Sequence, residues 1–373
     1  MKPVLHDGSS GTIDFSRGTR IGTLTDCISC KVMEERNGSY ELELGYAVSG
    51  KYYDDIVNGN VIVAVPSDGT NETAFDIYRV SRPIDGRVKV NARHITNRMR
   101  YCMVKPGVID PRVTYIEKYI SGQYYGDARS LLVNETPFKV DVRVTGTIAT
   151  RSVTISKPRT LRDLLQGSAG SLLQTYGGEW KWNTDGAVLY ENRGTVRTNG
   201  ITYGKNLVDL KQEEAIENTY NAAYPFWAND DTTVVGSIQR HSSATNANLK
   251  VMLLDLSAEY ETAPTVAQLN SRCQSYVNSN CRGVPNVSLT VKFAPLWMAL
   301  GYQDIAGIQR IQLCDEVPVI FEQLGVTTTA KVIKTDYNVL TERYNSIELG
   351  SERLTAAKAI AKLSKAAGVS LYV

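Results

Sequence analysis

Ile201-Thr202-Tyr203-Gly204-Lys205-Asn206-Leu207-Val208-Asp209-Leu210-Lys211-Gln212-Glu213-Glu214-Ala215-Ile216-Glu217-Asn218-Thr219-Tyr220-Asn221-Ala222-Ala223-Tyr224-Pro225-Phe226-Trp227 is the stretch whose reading decides the fold. Its first part, Tyr203 to Asn206, is a turn, because Gly supplies positive φ and Asn tolerates it. Leu207 to Lys211 and Thr219 to Tyr224 then predict two antiparallel strands around a charged link. Pro225 closes the second strand or places it at a sheet edge, since it cannot donate to a ladder. A chain organised around such a pair is built from sheets.

The remainder agrees. Tyr is abundant at 21 residues while Phe numbers 6, and an amphipathic aromatic suits half-buried strands and wet interfaces. With 373 residues, 42% hydrophobic and 21% charged, the chain is long enough for several units with real cores. A net charge of +2 is too small to argue for nucleic-acid binding. No apolar run is long enough for a membrane helix. The start, Met1 to Gly8, has no apolar core or cleavage site, so no signal peptide is expected and the protein is expected to stay in the cell that makes it.

Between residues 12 and 100 the pattern is β. Ile21 to Leu24 and Cys27 to Met33 are strand-like, and Arg36-Asn37-Gly38-Ser39 carries the signal of a type I′ hairpin. Tyr40 to Tyr46 alternates with period two. Val61 to Val65, Phe75 to Val80 and Val88 to Ala92 follow, suggesting a small barrel or sandwich. Residues 101 to 200 mix elements. Helices are predicted over Pro111 to Ile120 and from the cap Thr160 through Tyr176, strands over Lys139 to Val144 and Ser152 to Ile155, and a hairpin over Trp180 to Tyr190. Farther on come an exposed polar run (Ala228 to Asn248), a strand (Val251 to Leu256), a helix from Val266 to Gly283 and a strand over Val287 to Phe293. Val317 to Phe321, Ala330 to Lys334 and Asn345 to Gly350 return to β. Ser351 caps a closing Ala-rich helix to about Ala367, too short to stand undocked.

The first β unit is repeated. Glu34-Glu35 and Tyr40 to Tyr46 parallel Glu213-Glu214 and Tyr220 to Phe226. Val61 to Val63, Tyr78 to Val80 and Val88 to Val90 parallel Val317 to Val319, Lys331 to Ile333 and Ser346 to Glu348. Residues 228 to 310 are then an insertion in the second copy.

The turn Tyr203-Gly204-Lys205-Asn206-Leu207, the run Ser152 to Arg159, Gly178-Glu179-Trp180, Arg193-Gly194, Asp315 to Val319 and Lys334 to Gly350 stand in an order and spacing that resemble a known family. It is the N-terminal structural region of siphophage tail-associated lysins, or prophage endopeptidase tail proteins. The resemblance implies a fold like the baseplate hub of contractile-tailed phages: α+β and β-rich, with two similar small tube-type β-barrels and inserted α+β domains. It implies a homotrimer whose six barrels meet a six-fold tail, a distal tail protein and a tape-measure protein as partners, receptor-binding proteins as further ones, and DNA only as cargo through a channel. The place implied is the virion tail tip, assembled in the host cytoplasm. Divided accordingly, residues 1–100 are the first barrel domain, 101–200 an α+β domain, 201–230 with 310–352 the second barrel, 231–309 an inserted domain and 353–373 the final helix. Larger relatives carry a peptidoglycan-cleaving or receptor-binding region after a segment like Glu348-Leu349-Gly350; here the sequence ends at Val373.

No constellation for catalysis stands out. His6, His94 and His241 lie far apart and outside any metalloprotease or nucleophile motif, and read as polar strand or loop residues. Asp54-Asp55, Asp230-Asp231 and Asp315-Glu316 are neighbours that point to opposite faces of a strand. Ser168 in Gly167-Ser168-Ala169-Gly170 lacks both a partner base and a phosphate-loop context. Cys27-Ile28-Ser29-Cys30 has no second Cys pair to complete a zinc site, and its two thiols are expected on opposite faces. Cys102, Cys273, Cys281 and Cys314 complete six scattered cysteines with no disulfide framework. No catalytic, cofactor or metal residue is expected. The structural hub is thus the leading expectation; a peptidoglycan hydrolase and a carbohydrate-binding tail module are the alternatives.

Overall fold

The computed structural model describes residues 2–350 apart from 16–17, 83, 85, 110–130, 135, 145–151, 167–169, 199–200, 203–206, 216–218, 230, 258–259, 261–262, 282–285, 294–309 and 322–325. The predicted helix at 111–120, the Tyr203 to Asn206 turn, most of the Gly167 to Gly170 segment and the closing helix from Ser351 lie outside the described residues.

One sheet of 13 strands dominates. In chain order its strands are β1 (Val4–His6), β2 (Arg20–Thr23), β3 (Cys27–Glu35), β4 (Tyr40–Ala47), β5 (Val61–Ala64), β6 (Thr73–Ser81), β7 (Arg87–His94), β8 (Ile201–Thr202), β9 (Leu207–Ala215), β10 (Asn286–Phe293), β11 (Glu316–Phe321), β12 (Val326–Asn338) and β13 (Arg343–Gly350). Their spatial path is β9-β10-β13-β12-β3-β4-β7-β6-β5-β1-β2, with β11 on β12 and β8 on β11. The β3–β4 hairpin forms as its sequence asks: Asn37 takes φ 51° at the tip, and Leu42, Leu44 and Tyr46 alternate inward. Each such Leu contributes about 2 kcal/mol by leaving water.

The path contains the same order twice. The first half runs β1-β5-β6-β7-β4-β3, and the second β8-β11-β12-β13-β10-β9. Registers repeat as well. Val61 faces Asp76 and Glu316 faces Lys331, both displaced by one interval. A bulge at Ile77/Arg79 in β6 recurs at Val332/Lys334 in β12, and one at Cys27/Ser29 in β3 recurs at Leu207/Asp209 in β9. Ahead of β5, Gly59 has φ 93°; ahead of β11, Cys314 has φ 73° at the equivalent place. Bulges and left-handed residues are specific solutions to local geometry, so their recurrence marks a structural repeat. The halves differ at this end, for β1 is antiparallel to β5 and also carries β2, whereas β8 is parallel to β11.

This arrangement corrects the reading of residues 201 to 227. The charged link is itself strand: β9 runs through Gln212, Glu213 and Glu214 to Ala215 and pairs with β10, not with the Tyr220 region. The counterpart of Tyr40 to Tyr46 is therefore β10, and Ala222–Ala228 belongs to a separate four-stranded sheet. There Pro225 sits mid-strand. It is tolerated because one flank changes partner around it, from Gln239–Arg240 to Thr233–Val235, so no ladder bond needs its missing N–H. Small tube-type barrels were expected, but among the described residues no pairing closes either half into one. The edge of β3 that closure would use is occupied by β12.

The described residues between 103 and 190 form short ladders and two helices. Thr160 caps α1 (Leu161–Leu165) and Ser171 caps α2 (Leu172–Tyr176), so the single helix expected there is split. Glu179–Asn183 and Gly186–Tyr190 pair as the predicted hairpin, with Lys139–Arg143 parallel to its second strand. The core of this region is continuous with that of the first half of the large sheet. In the four-stranded sheet, α3 (Val266–Asn280) starts at a Thr265/Gln268 capping box and packs Leu269, Cys273 and Val277 on Ala223, Trp227 and Leu254.

Candidate assembly surface

The two halves meet where β3 pairs with β12, Lys334 opposite Glu35 through Asn338 opposite Lys31. The Arg36 N–H donates to Ile333 C=O at 2.8 Å and the Val339 N–H to Cys30 C=O at 2.9 Å, one bond at each end. Lys334 Nζ lies 2.8 Å from Glu35 Oε1. Burial pushes that carboxyl up, but Lys334 and Ser39 more than offset this and hold it below its ordinary value. Tyr337 and Val339, although in the second half, are buried in the core of the first.

Behind this joint lies a buried ionic knot made of residues far apart in sequence. Glu179, 1% exposed, accepts from Arg36 Nε at 2.9 Å, Lys331 Nζ at 2.7 Å and the Arg193 N–H at 2.7 Å. Burial raises its pKa, and Lys331, the Arg193 amide and Arg36 together bring it below the ordinary value. Arg193 turns its guanidinium to buried Glu34 at 2.7 Å and to Trp180 C=O at 3.0 Å. Burial opposes its charge, but Glu34, with smaller help from Cys314 and Tyr40, more than offsets this and raises its pKa. Asp315 accepts from the Thr195 N–H at 2.9 Å, Arg197 Nε at 2.7 Å and the Gln312 N–H at 2.7 Å. Between them Gly194 passes so close to Cys314 that a Cβ would lie 2.0 Å from its carbonyl oxygen. The knot ties the first half, the middle region and the second half together. Glu179, Trp180, Arg193, Gly194 and Asp315 are all residues of the motifs that stood out in sequence. Their shared task is mechanical.

The face of the sheet turned away from both cores is polar, and part of its charge is paired: Lys31 with Glu43 at 3.0 Å, Arg93 with Glu41 at 3.3 Å. An open groove of about 500 Å³ crosses the joint on this face, lined by Lys31, Glu43, Lys89, Asn91, Asn338 and Asn345 among others.

The histidines stay apart. His6 bonds Thr19 at 3.0 Å and His241 bonds Ser243 at 2.8 Å. His94, expected as a polar strand or loop residue, is a core group. It stacks on Tyr40 (4.4 Å, 6°) with Thr73 and Thr96 hydroxyls each 2.8 Å from a ring nitrogen. Of the acidic pairs, Asp54 and Asp55 are exposed and Asp315 is engaged in the knot; Asp230 and Ser168 lie outside the described residues. Among the described residues no group of three or more His, Cys, Asp or Glu could hold a metal ion, and no helix is long and apolar enough to cross a membrane.

The bulge at Cys27/Ser29 overturns the expected orientation of Cys27 and Cys30. It adds one residue to the turn count, and both thiols are buried on the same side. Hydrogen bonding to Cys27, then burial, pushes the Cys30 thiol up, and burial pushes Cys273 and Cys314 up to about 12. All six cysteines are free and buried. Titration with an aromatic disulfide reagent is therefore expected to find almost no reactive thiol in native protein and six after denaturation without reductant. Fewer than six would refute this.

Residues 195–360 match the model of a family described as prophage endopeptidase tail. Among solved structures, the chain is similar to the prophage MuSo2 43 kDa tail protein from Shewanella oneidensis, with 14% identity, a TM-score of 0.60, and 94% of this chain and 98% of that one covered. It is also similar to prophage tail protein gp18 from Listeria monocytogenes EGD-e (12% identity, TM-score 0.57, coverage 99% and 100%) and to a tail protein from Neisseria meningitidis MC58 (10%, 0.52, 96% and 98%). At such identities the likeness is one of fold. No curated protein matches. The resemblance to phage tail proteins drawn from motif order thus recurs in a family model and in whole-chain folds.

Proposed function

We propose that this chain is a structural subunit of a phage tail tip, a hub in which three copies form a ring that closes the tail tube and opens to pass DNA. The observation that carries the reading is the structural repeat: two halves with one strand order and recurring bulges. Three such chains present six near-equivalent surfaces, which removes the mismatch between a three-fold hub and a six-fold tube. The polar face of the sheet, with cations such as Lys31 and Arg93 paired to Glu43 and Glu41, suits the channel wall, because it offers a passing polyanion no apolar surface and a moderated attraction. The middle region and the insertion between β9 and β10 would then lie outside or below the ring. A distal tail protein above and the end of a tape-measure protein within are the partners this role requires.

Light scattering on purified protein is expected to give about three times the 41.2 kDa of one chain. A single-chain mass at every concentration would refute the ring. The family's description as an endopeptidase tail favours one second reading, cleavage of peptidoglycan; a zymogram with a clear band would support it.

A further inference from the structure

We propose that successive copies are joined by the free stretch of β6 in one copy and the outer edge of β9 in the next, in the register that joins β12 to β3 within the chain. The inference rests on the ring reading above, and its geometry comes from the repeat. β12 uses its N-terminal part for β11 and its C-terminal part, Lys334 to Asn338, for β3. β6 has the same division: Thr73 to Asp76 pair with β5, and past Ile77 that edge carries no strand among the described residues. The equivalent of β3 is β9, the terminal strand of the path, which among the described residues pairs only with β10. Each chain thus ends in one donor edge and one acceptor edge, the pair that the internal joint already shows to fit.

A second observation points the same way. Ile84 is fully exposed, at 106%, whereas the residue at its repeat position, Val339, is 1% exposed within the opposing core. An isoleucine held out in water at the place where its counterpart is buried is a knob without its hole. Charge agrees: Arg79 follows the β6 bulge where Lys334 follows the β12 bulge, and β9 carries Glu213 and Glu214. Transferring the register puts Arg79 opposite Ala215, Val80 opposite Glu214 and Ser81 opposite Glu213, with Arg79 diagonal to Glu213. Joined so, these two edges of each chain are covered by its neighbours.

The end bonds of the internal joint mark Asp336/Met33, and hence Ser81/Glu213, as a non-hydrogen-bonded pair, where side chains stand closest. The full-length Ser81→Cys/Glu213→Cys variant is therefore expected to cross-link between copies under mild oxidation. Ser81→Cys/Gln212→Cys, shifted by one residue and facing the other side, should not. Ile84→Asp should weaken self-association at least about tenfold while leaving the urea midpoint of the single chain unchanged. A three-copy particle that fails to cross-link at 81/213, or links equally at 81/212, would overturn this joint and leave the ring standing. A single-copy mass for the parent chain would overturn both.

Discussion

Lowering the pH from 6.5 to 5 is expected to destabilise the protein by about 2 kcal/mol, chiefly through His94. Burial, with a smaller push from Arg162, takes its pKa from 6.5 to about 3. The folded ring is neutral across that interval, while in the unfolded chain it takes up a proton as the pH falls below 6.5. A group whose folded pKa is depressed contributes stability above its unfolded pKa and loses it as pH falls toward the folded one. The loss therefore begins near pH 6.5 and continues toward about 3. His6, lowered by burial and then by Arg20, adds a smaller share with the same sign. Urea unfolding at pH 7, 6 and 5 measures the slope. H94Q starts less stable, having lost the stack on Tyr40, but is expected to retain only the shallow slope of His6. A variant slope as steep as the parent's would remove His94 from the account.

Glu179→Ala is expected to cost about 3–5 kcal/mol, since it strips the shared acceptor from Arg36, Lys331 and the Arg193 N–H inside the molecule. The pair energies are not what is lost; the cost lies in taking from the half-buried Arg36 and Lys331 the buried carboxylate they share, and from the Arg193 N–H its acceptor. Glu179→Gln, which keeps the shape and one acceptor, should fall between parent and Ala. Because the Glu179 pKa is lowered in the fold, its own contribution is present above the ordinary 4.5 and lost below it, a window that opens lower than that of His94. A denaturation midpoint for Glu179→Ala within 1 kcal/mol of the parent would show that the cluster is neutralised by water and not by the carboxylate.

Much of the fold is local and was legible. Asn37-Gly38 dictates a hairpin, and alternation in Tyr40 to Tyr46 fixes which side chains face inward. Thr160 caps the helix it announces, although that helix ends sooner than expected, and the helix expected from Val266 starts there. The resemblance lay in motif order, and the repeat could be traced through β5, β6 and β7 to within one or two residues of its true register.

Three things were decided only in three dimensions. Leu207–Ala215 is followed by two alternating strands, at 222–228 and 286–293, and nothing in its own pattern chooses between them; the choice is made by the β13 edge that β10 must share. Bulges leave no mark in composition, so the common burial of Cys27 and Cys30 could not be foreseen from spacing. Glu179, Arg193 and Asp315 stood in motifs and Glu34 in the repeat, but nothing in the sequence paired them, because a sequence shows a charge and not the counter-charge that pays for its burial. That information is held in contacts such as Arg193 to Glu34 and Lys331 to Glu179, which exist only once the halves have docked.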